Sequence, residues 1–222
     1  FFYFDTNGDI QASTTLSKDY FEDTPITSLI YWDKLNQESI IFGDERHGIT
    51  MSGSEHYYHH LADGCKYISG MDVTGLANNS TTYTNITAGV AFDEDVIVKP
   101  ILQTNTPALY LEWSAVEGKN VWRLATATNE VGHLVGGTAQ YNLLSGGEYS
   151  LANVTGNDCM IMFFFMTNDS QYPYTKIVGQ NVYSNRGDAR DAITDELNTL
   201  VTAGLPAPEI VSIGACIVSR LG

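Results

Sequence analysis

Short apolar runs, each bounded by residues that favour turns, recur along nearly the whole of this sequence. Gly, Asn, Asp or Pro separates most of them from the next run. A short apolar run ending in a turn signal is typical of a β-strand, whereas an amphipathic helix needs a longer pattern. The runs that predict strands are 1–4, 28–33, 39–42, 89–92, 95–98, 108–113, 120–125, 141–144, 149–151, 159–167, 176–178, 180–183 and 210–218. The sequence therefore predicts a mainly β fold, an antiparallel β-sandwich that is jelly-roll-like.

One segment near the C-terminal end departs from this pattern and predicts an α-helix. Asp188 is placed to cap its N-terminus, and Gly204 and Pro206 are typical of the residues that follow a helix. Apolar residues between them recur at spacings of three and four, which gives one apolar face. They are Ala192, Ile193, Leu197, Leu200 and Val201. We expect this helix to pack on the sheet shortly before the last strand.

The length of the chain favours one domain. A chain of 222 residues corresponds to one large or two small domains, and no stretch has the composition of a domain linker. We therefore expect residues 1–222 to form a single β-rich domain. Because the chain begins with Phe1 rather than Met, we also expect it to be part of a longer protein.

The charge of the chain excludes several classes of partner. It carries 26 acidic residues against 11 Lys and Arg, a net charge of −15. Phosphate backbones and anionic membrane surfaces repel such a chain, so we expect no nucleic-acid partner. The longest apolar run, 159–166, is far shorter than the roughly 20 residues that span a bilayer, so we expect no membrane insertion. Charged residues make up only 17%, and polar character comes from 22 Thr, 15 Ser and 15 Asn.

The densest group of ionisable residues lies in one stretch that contains four of the five histidines. It comprises Asp44, Glu45, Arg46 and His47, followed by His56, His59 and His60. Imidazole and carboxylate groups at this density suit a metal such as zinc, with His47, His56 and His60 as the ligands. In the simpler interpretation, Asp44, Glu45, Arg46 and His47 form a structural motif. Their side chains would bond the backbone of a tight loop, with a local ion pair between Asp44 and Arg46.

Catalysis is a third interpretation of the same stretch, but it has little other support in the sequence. It would need a nucleophile or a substrate pocket that the sequence does not show. No P-loop, GxSxG, GxGxxG or HExxH motif is present. We therefore expect no catalytic residues and no cofactor, with a structural metal as the alternative.

Several segments from about Ser28 onward form a further pattern. They are 42–51 (FGDERHGITM), 56–60 (HYYHH), 67–70 (YISG), 121–123 (VWR), 163–169 (FFFMTND), 176–180 (KIVGQ), 189–190 (AR) and 204–206 (GLP). Together they resemble a family of bacteriophage virion proteins, most of them described as hypothetical structural, tail-fibre or appendage proteins. The resemblance covers most of the chain and supplies no catalytic residues.

The resemblance implies a non-enzymatic structural protein of the virion. It would be a tail-fibre, baseplate or capsid-appendage domain that forms a homo-oligomer, with a trimer favoured. Its partners would be other virion proteins and a glycan or protein of the host surface, since the abundant Tyr suits such contacts. The alternatives are a virion-associated glycan hydrolase or depolymerase, supported only by the His-rich stretch, and a capsid decoration protein.

Overall fold

The computed structural model describes the larger part of the chain. The described residues are 1–5, 7–15, 26–44, 58, 64–77, 80–93, 96–167, 169, 171–205 and 210–220. Most of them lie in β-strands, which confirms the predicted mainly β class with a C-terminal helix. The finer jelly-roll assignment stays a prediction.

The strands before residue 100 form small antiparallel sheets. They are β1 (Phe2–Phe4), β2 (Ile10–Ala12), β3 (Ile26–Asp33), β4 (Glu38–Asp44), β5 (Cys65–Gly70), β6 (Val73–Thr74), β7 (Asn85–Ile86), β8 (Gly89–Asp93) and β9 (Val96–Val98). A four-stranded sheet has the order β2-β1-β3-β4, a three-stranded sheet has the order β5-β8-β9, and β6 pairs with β7.

The remaining strands build a five-stranded central sheet and a smaller sheet beside it. They are β10 (Thr106–Ser114), β11 (Lys119–Thr128), β12 (Leu134–Val135), β13 (Thr138–Ser145), β14 (Glu148–Asn153), β15 (Cys159–Thr167), β16 (Tyr174–Tyr183) and β17 (Ile210–Ser219). The central sheet has the order β11-β10-β16-β15-β17, and the smaller one has the order β12-β13-β14. Neighbours pair antiparallel except for β10 and β16, which are parallel.

Strand β15 organises two hydrophobic cores because all nine of its residues are buried. Side chains alternate across a strand, so consecutive residues such as Phe163 and Phe164 point to opposite faces. Phe164 belongs to a core that includes Tyr83, Ala91 and Ala139 from the smaller sheets and their loops. Phe163 belongs to a second core on the other face, which the C-terminal helix covers. The central sheet is therefore covered on both faces, which explains the unbroken apolar run of β15.

The helix α1 (Arg186–Thr199) begins earlier than the sequence predicts, and the predicted cap at Asp188 is wrong. Asn185 is the cap, since its Oδ1 accepts hydrogen bonds from the backbone N–H of Gly187 at 2.8 Å and of Asp188 at 3.0 Å. Asp188 instead lies in the first turn, where a carboxylate favours the positive end of the helix dipole. Asn and Asp cap equally well, so residue type alone does not distinguish Asn185 from Asp188.

Strands β10 and β16 pair over a short distance and then diverge. Their parallel register holds only at Ala108 with Lys176 and at Leu109 with Ile177. Beyond it, the side-chain amide of Asn142 from β13 takes the place of a strand: Oδ1 accepts from Leu111 N at 2.7 Å, and Nδ2 donates to Leu111 O at 2.8 Å. Asn142 is fully buried, so without this contact the peptide groups of Leu111 would have no water to bind.

Other side-chain amides bridge backbone groups in the same way, each accepting from one N–H and donating to one C=O. Asn120 binds Tyr149 N and Gly147 O, Gln103 binds Tyr174 N and Asn105 O, and Gln180 binds Val201 N and Val201 O. An amide side chain can do this because it carries both a donor and an acceptor.

Replacement of Asn142 by Ala is expected to lower the free energy of unfolding by about 3 kcal/mol, because it leaves two buried backbone groups unpaired. Asn153→Ala serves as the matched control, since Asn153 is exposed and its side-chain bond to Gln140 is at the surface. Its expected cost is below about 0.5 kcal/mol. Urea unfolding of the three proteins measures both values, and equal costs for the two variants would contradict the role given to Asn142.

Candidate functional site

The residues predicted to form a metal site or structural motif lie almost entirely outside the described residues. This holds for Glu45, Arg46, His47, His56 and His60. Asp44 is described only as the last residue of β4, where it pairs with Ser28. The metal site and the structural motif therefore stay predictions. In the part of the chain that is described, no group of three or more His, Cys, Asp or Glu residues could hold a metal ion.

A cluster of ionisable side chains that the sequence reasoning missed lies on the face of the central sheet that bears Phe164. We call it the polar cluster, and it comprises Asp33, Tyr83, Tyr110, Glu112, Arg123, Glu130, His133 and Lys176. Its members come from strands and loops that are far apart in sequence. No local spacing could therefore have revealed it.

Arg123 forms the end of the polar cluster that lies nearest to the N-terminal sheet. Its Nη1 donates to Asp33 Oδ1 at 2.7 Å, and its Nε donates to Glu112 Oε2 at 3.0 Å. The Arg123 and Asp33 side chains are only 4% and 1% exposed. Burial by itself raises the pKa of Asp33, but hydrogen bonds from Asn36, Arg123 and Leu35 outweigh it and hold the pKa below its usual value. This ion pair ties the β3–β4 hairpin to β11.

Lys176 forms the other end of the polar cluster and is 1% exposed. Its Nζ donates to the backbone oxygens of Glu130 at 2.7 Å and of Thr128 at 3.3 Å, and it lies 5.8 Å from the centre of the Tyr83 ring. Burial lowers the pKa of Lys176 to about 8, and the negative charge of Glu130 opposes that shift. The ammonium thus serves as a buried donor to the backbone carbonyls of Glu130 and Thr128.

His133 and Tyr110 lie within the polar cluster, between Arg123 and Lys176. Their rings stack with centroids 5.6 Å apart and planes inclined by 29°. Tyr110 is the cross-strand partner of Arg123. Burial, and then the charge of Lys176, lower the pKa of His133 below its usual value.

Asp33, Arg123 and Lys176 hold structural elements together and are buried, whereas the side chain of Glu112 is 45% exposed. A small cleft lies between β10, β11 and the turn after β15, on the face of the central sheet that bears Leu109 and Phe163, and it has room only for a water-sized ligand. The carboxylate at its edge, Asp169, accepts hydrogen bonds from Gln171 N and Tyr172 N, both at 2.7 Å. These contacts fix a turn, so the cleft gives no substrate pocket.

Another buried ionisable side chain, that of Glu196, lies on the opposite face of the central sheet, on the buried side of α1. Its Oε1 accepts from Gln180 N at 2.6 Å and from Asn181 N at 3.1 Å, and its Oε2 accepts from the Tyr183 hydroxyl at 2.8 Å. Burial raises the pKa of Glu196, although its three donors oppose the shift. The apolar periodicity that predicted the helix did not include this position.

The contact with Glu196 exists because β16 bulges at this point. Met160 pairs with Val182 and Met162 pairs with Val178, so β16 has two more residues than β15 between these pairs. A bulge leaves backbone N–H groups without a strand partner. Gly179 permits the close approach of β16 to β15, since a Cβ there would collide with the carbonyl oxygen of Ile161.

Comparison of the chain with protein-family models, with curated proteins and with solved structures gives no match in any of the three. Among the described residues, no helix is both long and apolar enough to cross a membrane.

The two substitutions Glu196→Gln and Glu196→Ala are expected to differ in their effect on stability. A Gln oxygen still accepts from Gln180 N and Asn181 N, and its amide donates to Tyr183, so the expected cost is below about 1 kcal/mol. Alanine leaves two backbone N–H groups unpaired and is expected to cost about 3 kcal/mol. Thermal or urea unfolding at neutral pH distinguishes the two, and equal losses would show that the bulge does not depend on this acceptor.

The stability difference between the wild type and Lys176→Met is expected to change with pH. The folded state releases the Lys176 proton near pH 8, whereas the unfolded state keeps it up to about 10.5. The unfolded state therefore binds more protons in this window, and the wild type gains stability relative to Lys176→Met as the pH rises. Lys176→Arg, which stays charged, is also expected to lack this gain. Urea unfolding at several pH values between about 8 and 10.5 measures this gain in the free energy of unfolding. Parallel pH profiles of stability for all three proteins would contradict the buried position of the amine.

Proposed function

We propose that this chain is a non-enzymatic structural domain of a bacteriophage virion, from a tail fibre, baseplate or capsid appendage. It assembles as a homo-oligomer, most simply a trimer, and contacts other virion proteins and the host surface. The observation that carries the proposal is the use of the buried charges. In the described residues they bind backbone groups or each other and fix the positions of strands, loops and the helix, as a rigid scaffold requires.

Exposed apolar side chains on the smaller sheets and their loops support a role in assembly. Ile97 in β9 is 57% exposed and Ile101 in the following loop is 73% exposed, while Tyr67 in β5 is 51% exposed. In β5 the four consecutive residues 66–69 are all exposed, so both faces of this strand are open. Aromatic and aliphatic side chains at such positions are typical of surfaces that bind another protein.

The composition of the surface supports the same proposal. The excess of acidic residues keeps a particle surface soluble and prevents adhesion to nucleic acid. Uncharged polar residues and 13 tyrosines suit contact with glycans or proteins, because Tyr provides rigid contact area at a small entropic cost. The resemblance to phage virion proteins adds the biological setting.

The purified protein is expected to form a homo-oligomer in solution. Multi-angle light scattering after size-exclusion chromatography should give three times the mass of one chain, because the open apolar surfaces favour association. A monomer over a wide range of protein concentration would contradict the assembly part of the proposal.

Gold-labelled antibodies against the protein are expected to bind intact particles of the phage that encodes it. Electron microscopy then shows the labelled structure, whether a fibre, a baseplate or the capsid. Particles of a phage in which the gene is deleted provide the control. Absence of the protein from purified virions would overturn the proposal, even if the purified protein is an oligomer.

A further inference from the structure

The segment that joins β11 to β12 packs over the core that contains Phe164. We call residues 128–135 the connector, which includes the last residue of β11 and both residues of β12. Its main chain is bound to the loop before β7: Tyr83 N donates to Asn129 O at 3.0 Å, and Val131 N donates to Thr81 O at 2.8 Å. Val131 itself is buried in that core. The connector therefore covers part of the central sheet.

A buried cation holds the connector to the central sheet. Lys176 of β16 donates to the backbone oxygens of Thr128 and Glu130, the first residues of the connector. The same amine lies over the ring of Tyr83, whose hydroxyl donates to Thr128 O at 3.1 Å and lies 2.6 Å from Thr106 Oγ1. One positive charge thus occupies a site closed to water, at the junction of the connector, its neighbouring loop and β16.

The same connector contains a half-buried imidazole, that of His133. Its ring stacks on Tyr110 of β10, and its backbone oxygen accepts from Gln140 N of β13 at 3.0 Å. The charged and titratable groups around it come from each neighbouring element. They are Lys176 from β16, Tyr110 from β10, Arg123 from β11 beside Tyr110, Glu130 from the connector and Tyr83 from the adjacent loop.

We propose that His133 and Lys176 make the connector an acid-sensitive attachment. At neutral pH a neutral imidazole stacks on Tyr110 while the ammonium of Lys176 already occupies the site. Protonation of His133 adds a second positive charge to the same poorly solvated site. Opening of the connector returns His133 to water and relieves the repulsion, so acidification favours the open form.

The direction of this effect follows from the protonation of the two forms. Burial and the nearby Lys176 hold the pKa of His133 below its usual value of 6.5 in the closed form. The open form therefore binds a proton more readily, and the closed form loses stability as the pH falls below 6.5. The Asp33 carboxylate, whose pKa lies below 3.8, keeps its charge in this range. The β3–β4 hairpin consequently stays attached while the connector opens.

Hydrogen exchange of individual amides, measured by NMR at pH about 7.5 and about 5, tests the proposal. The reporters are the N–H groups of Tyr83, Val131 and Gln140, which bind across the connector. In the wild type the protection of these three amides against exchange should be lower at pH about 5 than at pH about 7.5. The expected loss is up to about tenfold for each unit by which the pKa of His133 in the closed form lies below 6.5. The amide of Phe163 in the central sheet should keep its protection.

His133→Gln stays neutral at both values of pH and is expected to remove the loss of protection. His59→Gln is the matched control from the His-rich stretch and should behave like the wild type. If acidification lowers amide protection in His133→Gln as much as in the wild type, the proposal is overturned.

A second measurement does not depend on any variant that opens the connector. The ring protons of His133 in the wild type should titrate below pH 6.5. Titration of wild-type His133 at or above 6.5 would also overturn the proposal.

Discussion

The divergence of β10 from β16 is the constraint on which the rest of the structure depends. A central sheet covered on both faces leaves no water for unpaired peptide groups, so each gap in the strand pairing must be filled by a side chain. Asn142 fills the gap at Leu111, and nearer the surface Asn120, Gln103 and Gln180 bridge turn and loop residues in the same way. Amide groups suit this role because they satisfy a donor and an acceptor together without burying a charge.

Glu196 and Lys176 solve the same problem where the backbone groups that need a partner are of one kind. At the bulge in β16 these groups are backbone N–H donors, and the carboxylate of Glu196 accepts their hydrogen bonds. At the start of the connector they are backbone C=O acceptors, and the ammonium of Lys176 donates to them. The sign of each of these two charges thus matches the backbone groups that it binds.

The fold was predictable from the sequence where its determinants are local. The apolar runs that predict β3, β4, β10, β11, β13, β14 and β15 depend on neighbouring residues, and the structure confirms them as strands. Strands β6 and β7 have two residues each and carry no periodicity. The polar cluster was not predictable, because Lys176 bonds backbone atoms 46 and 48 positions away. The start of α1 was misassigned, since Asn185 and Asp188 are equivalent caps by residue type alone.

The parallel pairing of β10 with β16 also determines how the chain can fold. Hairpins form from neighbouring strands, but β10 meets β16 only across intervening elements, as the bond from Thr175 to Pro107 O over 68 positions shows. The Arg123–Asp33 pair spans 90 positions. The entropy of closing such long loops is lost before most contacts form, so folding is expected to take on the order of milliseconds to seconds. The hairpins form first, and both cores become complete only when β15 has gained β16 and β17 as neighbours.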